Sequence, residues 1–205
     1  MYIPRRYVEK DMDTIHAFIK ENSFAILISV KDGLPVGTHI PLQLGKDAAG
    51  GDVLMGHISR GNEQKHTLVD GARVLAIFAG PHAYISPRWY TEMNVPTWNY
   101  ISVHVYGKVR IVEGDELREA LARLMDTYER HMPRPVTMEE IPEKKLNDDL
   151  RGIVGFEISI DEVQAAYKLS QNRDPQSYHQ VVGALDKGDE GARKVAEEMK
   201  KREGK

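Results

Sequence analysis

The sequence predicts an α+β domain: an antiparallel β-sheet curled toward a barrel, with flanking helices and a helical C-terminal segment. Two observations carry this. About six strand-like runs follow one another with hairpin-type turns between them. Helical periodicity gathers near residue 15, between residues 115 and 150, and after residue 174, so the alternating βαβ pattern of a doubly wound nucleotide fold is missing. An antiparallel sheet of this kind hides its edges by curling or closing.

Taken in order, "DMDTIHAFIKEN" offers Asp11 or Asp13 as a helix cap and puts Ile15, Phe18 and Ile19 on one face. "SFAILISVKDGLPVGTHIPLQL" holds two β-rich runs around Lys31-Asp32-Gly33, and an Asp-Gly step there predicts a tight hairpin. Gly50-Gly51-Asp52 marks the next loop and "VLMGHIS" a third strand. "NEQKHTLV" reads as about two helical turns capped by Asn62. "ARVLAIFAG" is apolar throughout and predicts a strand buried on both faces.

The stretch "AYISPRWYTEMNVPTWNY" is dense in aromatics and broken by Pro87 and Pro96, and it leads into the alternating strand "YISVHVYGKVRIV". "DELREALARLMDTYERHM" predicts a helix capped by Asp115 with a Leu117, Leu121, Leu124, Met125 and Tyr128 stripe. A proline-broken link and a short polar helix follow, then a last strand or strand pair in "VGFEISIDEVQAAYKLSQN". Residues 1–173 are expected to form the sheet domain, and residues 174–205 a helical extension on or beside it that ends in a frayed charged tail.

Composition narrows the functions. Hydrophobic residues at 41% and charged residues at 29% suit a globular core. A net charge of −3 gives no general field for polyphosphate, so DNA binding would need a local patch, and no helix-turn-helix is recognisable. With no cysteine, disulfides, thiolate nucleophiles and thiolate metal sites are excluded. No secretory h-region or membrane span is evident and no metal-ligand spacing recurs, so a cytoplasmic protein without a metal site or membrane partner is expected.

The segment "GHISRGN" brings His57, Ser59, Arg60 and Asn62 to a strand end, with Lys65 just beyond. Backbone N–H groups at a helix start, a tight turn at Gly61, a hydroxyl and a guanidinium would make a phosphate pocket. The same residues also fit a plain capped turn with a surface arginine. A second polar cluster, Lys168, Ser170, Gln171 and Asn172, follows the last strand, and strand alternation sets Trp98 and Tyr100 opposite Asn99.

Together "MYIPRRY", "GHISRGNEQK", "YISPRWY" with "VPTWNY", "VHVYGKVRIV" and "KLSQNR" resemble the PaiB-type family of FMN-binding negative transcriptional regulators, from Met1 to about Ala192. The resemblance implies a split β-barrel related to pyridoxamine-phosphate-oxidase-like flavoproteins. It also implies a homodimer with flavin sites at the subunit interface, and a role in repressing sporulation and extracellular degradative enzymes. On this reading Ser59 and Arg60, with Lys65, would hold the FMN phosphate. Trp89, Tyr90, Trp98 and Tyr100 would pack on the isoalloxazine or across the interface, and Thr38 and His39 would reach the ring edge. His57, Asn62, Asn99, Lys168, Ser170, Gln171 and Asn172 complete the cofactor-binding set.

Three classes of function stay open at this stage. They are a flavin-sensing regulator acting on DNA or indirectly, a flavin-dependent oxidoreductase whose catalytic residue the sequence does not single out, and a haem-binding split barrel with His179 as axial ligand.

Overall fold

The computed structural model describes residues 1–203, so the final Gly204 and Lys205 of the expected tail lie outside the described residues. Among the described residues, eight strands and five α-helices follow one another as β1 (Val8–Glu9), α1 (Met12–Glu21), β2 (Phe24–Lys31), β3 (Leu34–Pro41), β4 (Gln43–Lys46), β5 (Asp52–Ser59), β6 (Arg73–Ile85), β7 (Thr97–Val112), α2 (Gly114–Glu129), α3 (Glu143–Arg151), β8 (Ile153–Lys168), α4 (Pro175–Leu185) and α5 (Glu190–Lys200). The strands form one sheet in the order β3-β2-β6-β7-β8-β5-β4, with β1 paired to β8. The sheet is not closed: β3 and β4 stand at its two ends.

By compactness the chain forms two units. One comprises Met1–Phe18, Phe78–His104 and the chain from Gln164 onward; the other comprises Ile19–Ile77 and Val105–Val163. In the second unit the β2–β3 hairpin turns at Asp32 and Gly33, with φ of 51° and 81°. Both lie in the left-handed region that a two-residue type I′ turn needs, which is why Asp-Gly predicts the hairpin correctly. β5 pairs antiparallel with β8 from Val53↔Ser159 to Ser59↔Ile153. At Gly107 the chains approach so closely that a Cβ would meet the Ser159 carbonyl oxygen at 2.2 Å, so only glycine fits there. Leu27, Leu42, Leu54, Phe156 and Ile158 are fully buried in this unit.

Five local expectations change. Burial in β6 alternates, with Val74, Ala76 and Phe78 buried and Arg73 and Ala79 exposed, so this apolar run is not buried on both faces. The helix after Asn62 is a single 3-10 turn, Glu63–His66, although Asn62 does cap it. Gly61 has no positive φ and a Cβ there would meet only ordinary contact with Ser59, so the turn does not require glycine. α2 starts after Glu113, leaving Asp115 in its first turn, and only Leu117 of its stripe is buried. In α5, Val195, Ala196 and Met199 are buried, so the chain up to Met199 is a packed helix; the periodicity was masked by the charges between them.

Candidate functional site

β3, β5 and the α3–β8 junction enclose a cleft of about 630 Å³ in the second unit. β3 supplies Thr38, β5 supplies His57 and Ser59, the following turn supplies Asn62, and Asp148, Asp149 and Gly152 form the opposite wall. Strand alternation puts His57 and Ser59 on one face.

The hydrogen bonds define which groups remain available. Asn62 Oδ1 accepts from the Gln64 amide at 2.9 Å, while its Nδ2 donates to Thr38 Oγ1 at 2.9 Å. Ser59 Oγ accepts from the Gly61 amide at 3.1 Å. Thr38 and Ser59 therefore each hold an acceptor bond and keep their own O–H to give. Below them Gln64 is buried and donates to the Leu27 carbonyl and Ser29 Oγ, both at 3.0 Å, which fixes the turn against β2. Burial lowers the pKa of His57, so it stands neutral at pH 7.

Charge around the cleft is partitioned. The Arg60 amide donates to Gly152 O at 2.8 Å and its Nε to Arg151 O at 2.8 Å. Arg60 lines a neighbouring cleft of about 300 Å³ that shares Ile153 with the first, so Ser59 and Arg60 face different hollows. Lys65 donates back to the Arg60 carbonyl. Asp148 pairs with Arg151, and Asp149 with Lys145 at 2.9 Å, which compensates both carboxylates. His39 is exposed and lies against Phe24 with ring centroids 6.2 Å apart.

The remaining sequence-predicted residues belong to the first unit. Asn99 is fully buried; its Nδ2 donates to Ser170 Oγ at 2.9 Å and meets Met199 Sδ at 3.5 Å. Ser170 holds a φ of 65°. Gln171 accepts from the Leu169 amide and donates to the Tyr167 carbonyl, and Asn172 accepts from the Tyr7 hydroxyl at 3.1 Å. Lys168 donates to Thr97 Oγ1, and desolvation, with Arg173 nearby, lowers its pKa. Trp98 is 53% exposed and packs edge-on against Tyr84, while Tyr100 is half-buried. Both ring nitrogens of His179 are engaged, by the Pro175 carbonyl and by Glu203.

Sequence reasoning missed Asp148, Asp149 and Gly152 as cleft residues. Asp148 and Asp149 sit in a polar helix, with Gly152 at its C-cap, and the helix's spacing carries no sign of which strand it will cover.

Comparison with solved structures gives the class. The FAD and haem binding protein of Mycobacterium smegmatis superposes with a TM-score of 0.60 at 17% identity, covering 84% of this chain and 78% of that one. The flavocytochrome Anf3 of Azotobacter vinelandii gives 0.59 at 16% identity, covering 87% and 78%. At such identities the likeness is one of fold, and the fold is the split barrel. The family described as "Putative FMN-binding domain" matches residues 1–162. "Protease synthase and sporulation protein PAI 2" of Bacillus subtilis is 42% identical over 200 residues, 97% of this chain and 96% of that protein. The chain belongs to this PaiB-type FMN-binding family.

Proposed function

We propose that this chain binds FMN through the cleft at the end of β5 and acts as a negative regulator of the sporulation and degradative-enzyme type. One observation carries the flavin reading: the Thr38 and Ser59 hydroxyls are both held by acceptor bonds with their protons left to donate. Neutral His57 and the second N–H of Asn62 extend this donor set, which suits the carbonyls and phosphate oxygens of a flavin nucleotide. The guanidinium of Arg60 has no carboxylate partner among the described residues and lines the neighbouring hollow, so it would meet the phosphate where the ligand's tail extends past Ile153 into that hollow, with Lys65 behind it. His39 would meet the ring edge, and Trp98, Asn99, Tyr100, Lys168, Ser170, Gln171 and Asn172 form the other part of the proposed set; buried Asn99 and Ser170 would support it from within.

The regulatory part rests on the 42% identical relative and its name. With a net charge of −3, we infer indirect control through flavin occupancy or a protein partner in the cytoplasm, working as a homodimer. Exposed Trp98, Tyr84 and Met93 in the first unit are the apolar surface such a dimer would cover. Residues 1–173 would act as the flavin domain and the C-terminal helices as its extension. A second reading, flavin-dependent oxidoreductase, is favoured by a neutral imidazole that lines the same cleft as two hydroxyls. Bound FMN would supply the redox chemistry, and His57 could take or return a proton at its ring nitrogen.

Absorbance titration of the purified protein with FMN, riboflavin and haemin tests the reading. FMN should bind, and Arg60→Ala should weaken FMN by at least about tenfold while leaving riboflavin almost unchanged, because only FMN carries the phosphate. Equal loss for both ligands, or no loss, removes Arg60 from the phosphate role. A Soret band with haemin and no flavin binding would favour the haem reading.

A further inference from the structure

We propose that Gln64 is a positioning residue for the cleft at the end of β5: it holds the Thr38 hydroxyl and the Asn62 amide in place, and so sets how tightly the cleft takes a flavin, with or without a phosphate. This role rests on the flavin reading of the cleft. Gln64 itself is only 4% exposed and is not among the residues that line the cleft, so it acts through its neighbours rather than by touching a ligand.

Two rings of directed hydrogen bonds close on this one side chain. In the first, the Gln64 backbone N–H donates to Asn62 Oδ1 at 2.9 Å and Asn62 Nδ2 donates to Thr38 Oγ1 at 2.9 Å. Thr38 lies opposite Leu27 in the β2–β3 ladder, and the Leu27 carbonyl accepts from Gln64 Nε2 at 3.0 Å, which completes the ring. In the second, Gln64 Nε2 donates to Ser29 Oγ at 3.0 Å, Ser29 Oγ lies 2.6 Å from Thr67 Oγ1, and the Thr67 hydroxyl donates to the Gln64 carbonyl at 2.8 Å. With the Thr67 proton committed there, Ser29 must be the donor to Thr67, so every bond in this ring has one direction. Ser29 lies opposite Val36, two residues before Thr38. One amide therefore grips β2 at two rungs of the ladder and, through Asn62, meets the β3 hydroxyl of one of them.

Stability does not call for glutamine here. Gln64 Oε1 is buried without a hydrogen-bond partner among the described residues, an unfavourable placement that an apolar side chain of the same length would avoid. What an apolar side chain cannot do is engage two fixed acceptors on β2 at once. Glu63–His66 is a single 3-10 turn with little rigidity of its own. Among the described residues its other side-chain ties to β2 and β3 are the Asn62–Thr38 and Ser29–Thr67 bonds, both within the rings, and an exposed Lys31–Glu63 pair at 3.5 Å, which holds weakly.

Gln64→Met keeps the length of the side chain and removes its amide. Absorbance titration should show FMN and riboflavin both bound about tenfold more weakly, whereas Arg60→Ala acts on FMN alone, and Tm should move by no more than about 3 °C. In the flavin-free variant the Gln64 and Leu68 amides should exchange at least about tenfold faster, with the β5 amides unchanged. In an Asn62→Ala background the same substitution should weaken the flavins by about twofold at most, because the amide that Gln64 positions is already gone. An equal loss in both backgrounds would mean a general loosening of the fold and would overturn the proposal, as would unchanged affinity in Gln64→Met. If the natural chain binds neither flavin, the flavin reading fails and exchange alone decides the role of Gln64: unchanged rates at Gln64 and Leu68 overturn it, and faster rates support it. Should Gln64→Met fail to fold, Ser29→Ala takes its place by removing one of the two acceptors, with an expected loss of about threefold for both flavins; natural affinity in that variant overturns the role.

Discussion

At the scale of single residues, hydrogen-bond direction decides what the candidate site can do. Thr38 and Ser59 are ordinary surface hydroxyls in the sequence, and only their acceptor bonds from Asn62 and Gly61 turn them into committed donors. His57 adds a pH dependence. Burial lowers its pKa below the ordinary value of about 6.5, so the unfolded chain binds a proton that the folded one resists. Its contribution is complete above the unfolded value and is lost as pH falls from about 6.5 toward the folded pKa. Tm measured from pH 7.5 down to about 5 should therefore fall, and His57→Gln should flatten that fall. His104, lowered mainly by burial, keeps part of the slope. An unaltered slope in the variant would mean that His57 binds protons equally in the folded and unfolded chain, and that burial does not lower its pKa.

At the scale of elements, two close contacts fix how strands and helices meet. Gly107 brings β7 against the Ser159 backbone, and a backbone oxygen 2.2 Å from a new Cβ cannot swing aside as a side chain would. Gly107→Ala should cost about 3 kcal/mol or more, seen as a lower denaturant midpoint with β7 and β8 amides exchanging faster. The second contact is the Asn99, Ser170 and Met199 cluster, where β7, the turn after β8 and α5 meet in the first unit. Asn99→Ala leaves Ser170 unpartnered in a buried place and should cost about 1–3 kcal/mol, with hydrogen exchange rising first in α5. Unchanged exchange in α5 would show that its apolar face holds it alone. The sequence reveals α2 through its leucine stripe but hides the packing of α5, whose buried Val195, Ala196 and Met199 are outnumbered by charges. It also leaves β4 unseen, since four residues at a sheet edge carry too little alternation.

At the scale of the whole molecule, a ligand that binds only the folded chain must stabilise it. FMN at about 100 times its Kd should add about 2.7 kcal/mol, which for a chain of this length is a Tm rise of about 5–10 °C. Riboflavin at the same multiple of its own Kd should give the same rise, so a fixed concentration separates the two by affinity. No rise with either would remove the flavin reading.

By itself the sequence determined the α+β class, the hairpin at Asp32-Gly33 and the Asn62 cap. These depend on neighbours in the chain, through φ preference, strand period and capping geometry. The five separated motifs that resemble the PaiB-type family gave the family, which the match over residues 1–162 bears out. Only the tertiary structure decided that Ser59 and Arg60 open onto different hollows and that Asp148 and Asp149 wall the first. Those facts depend on contacts between residues about ninety positions apart, such as Arg60 with Arg151, and no local pattern encodes which distant carbonyl a side chain will meet.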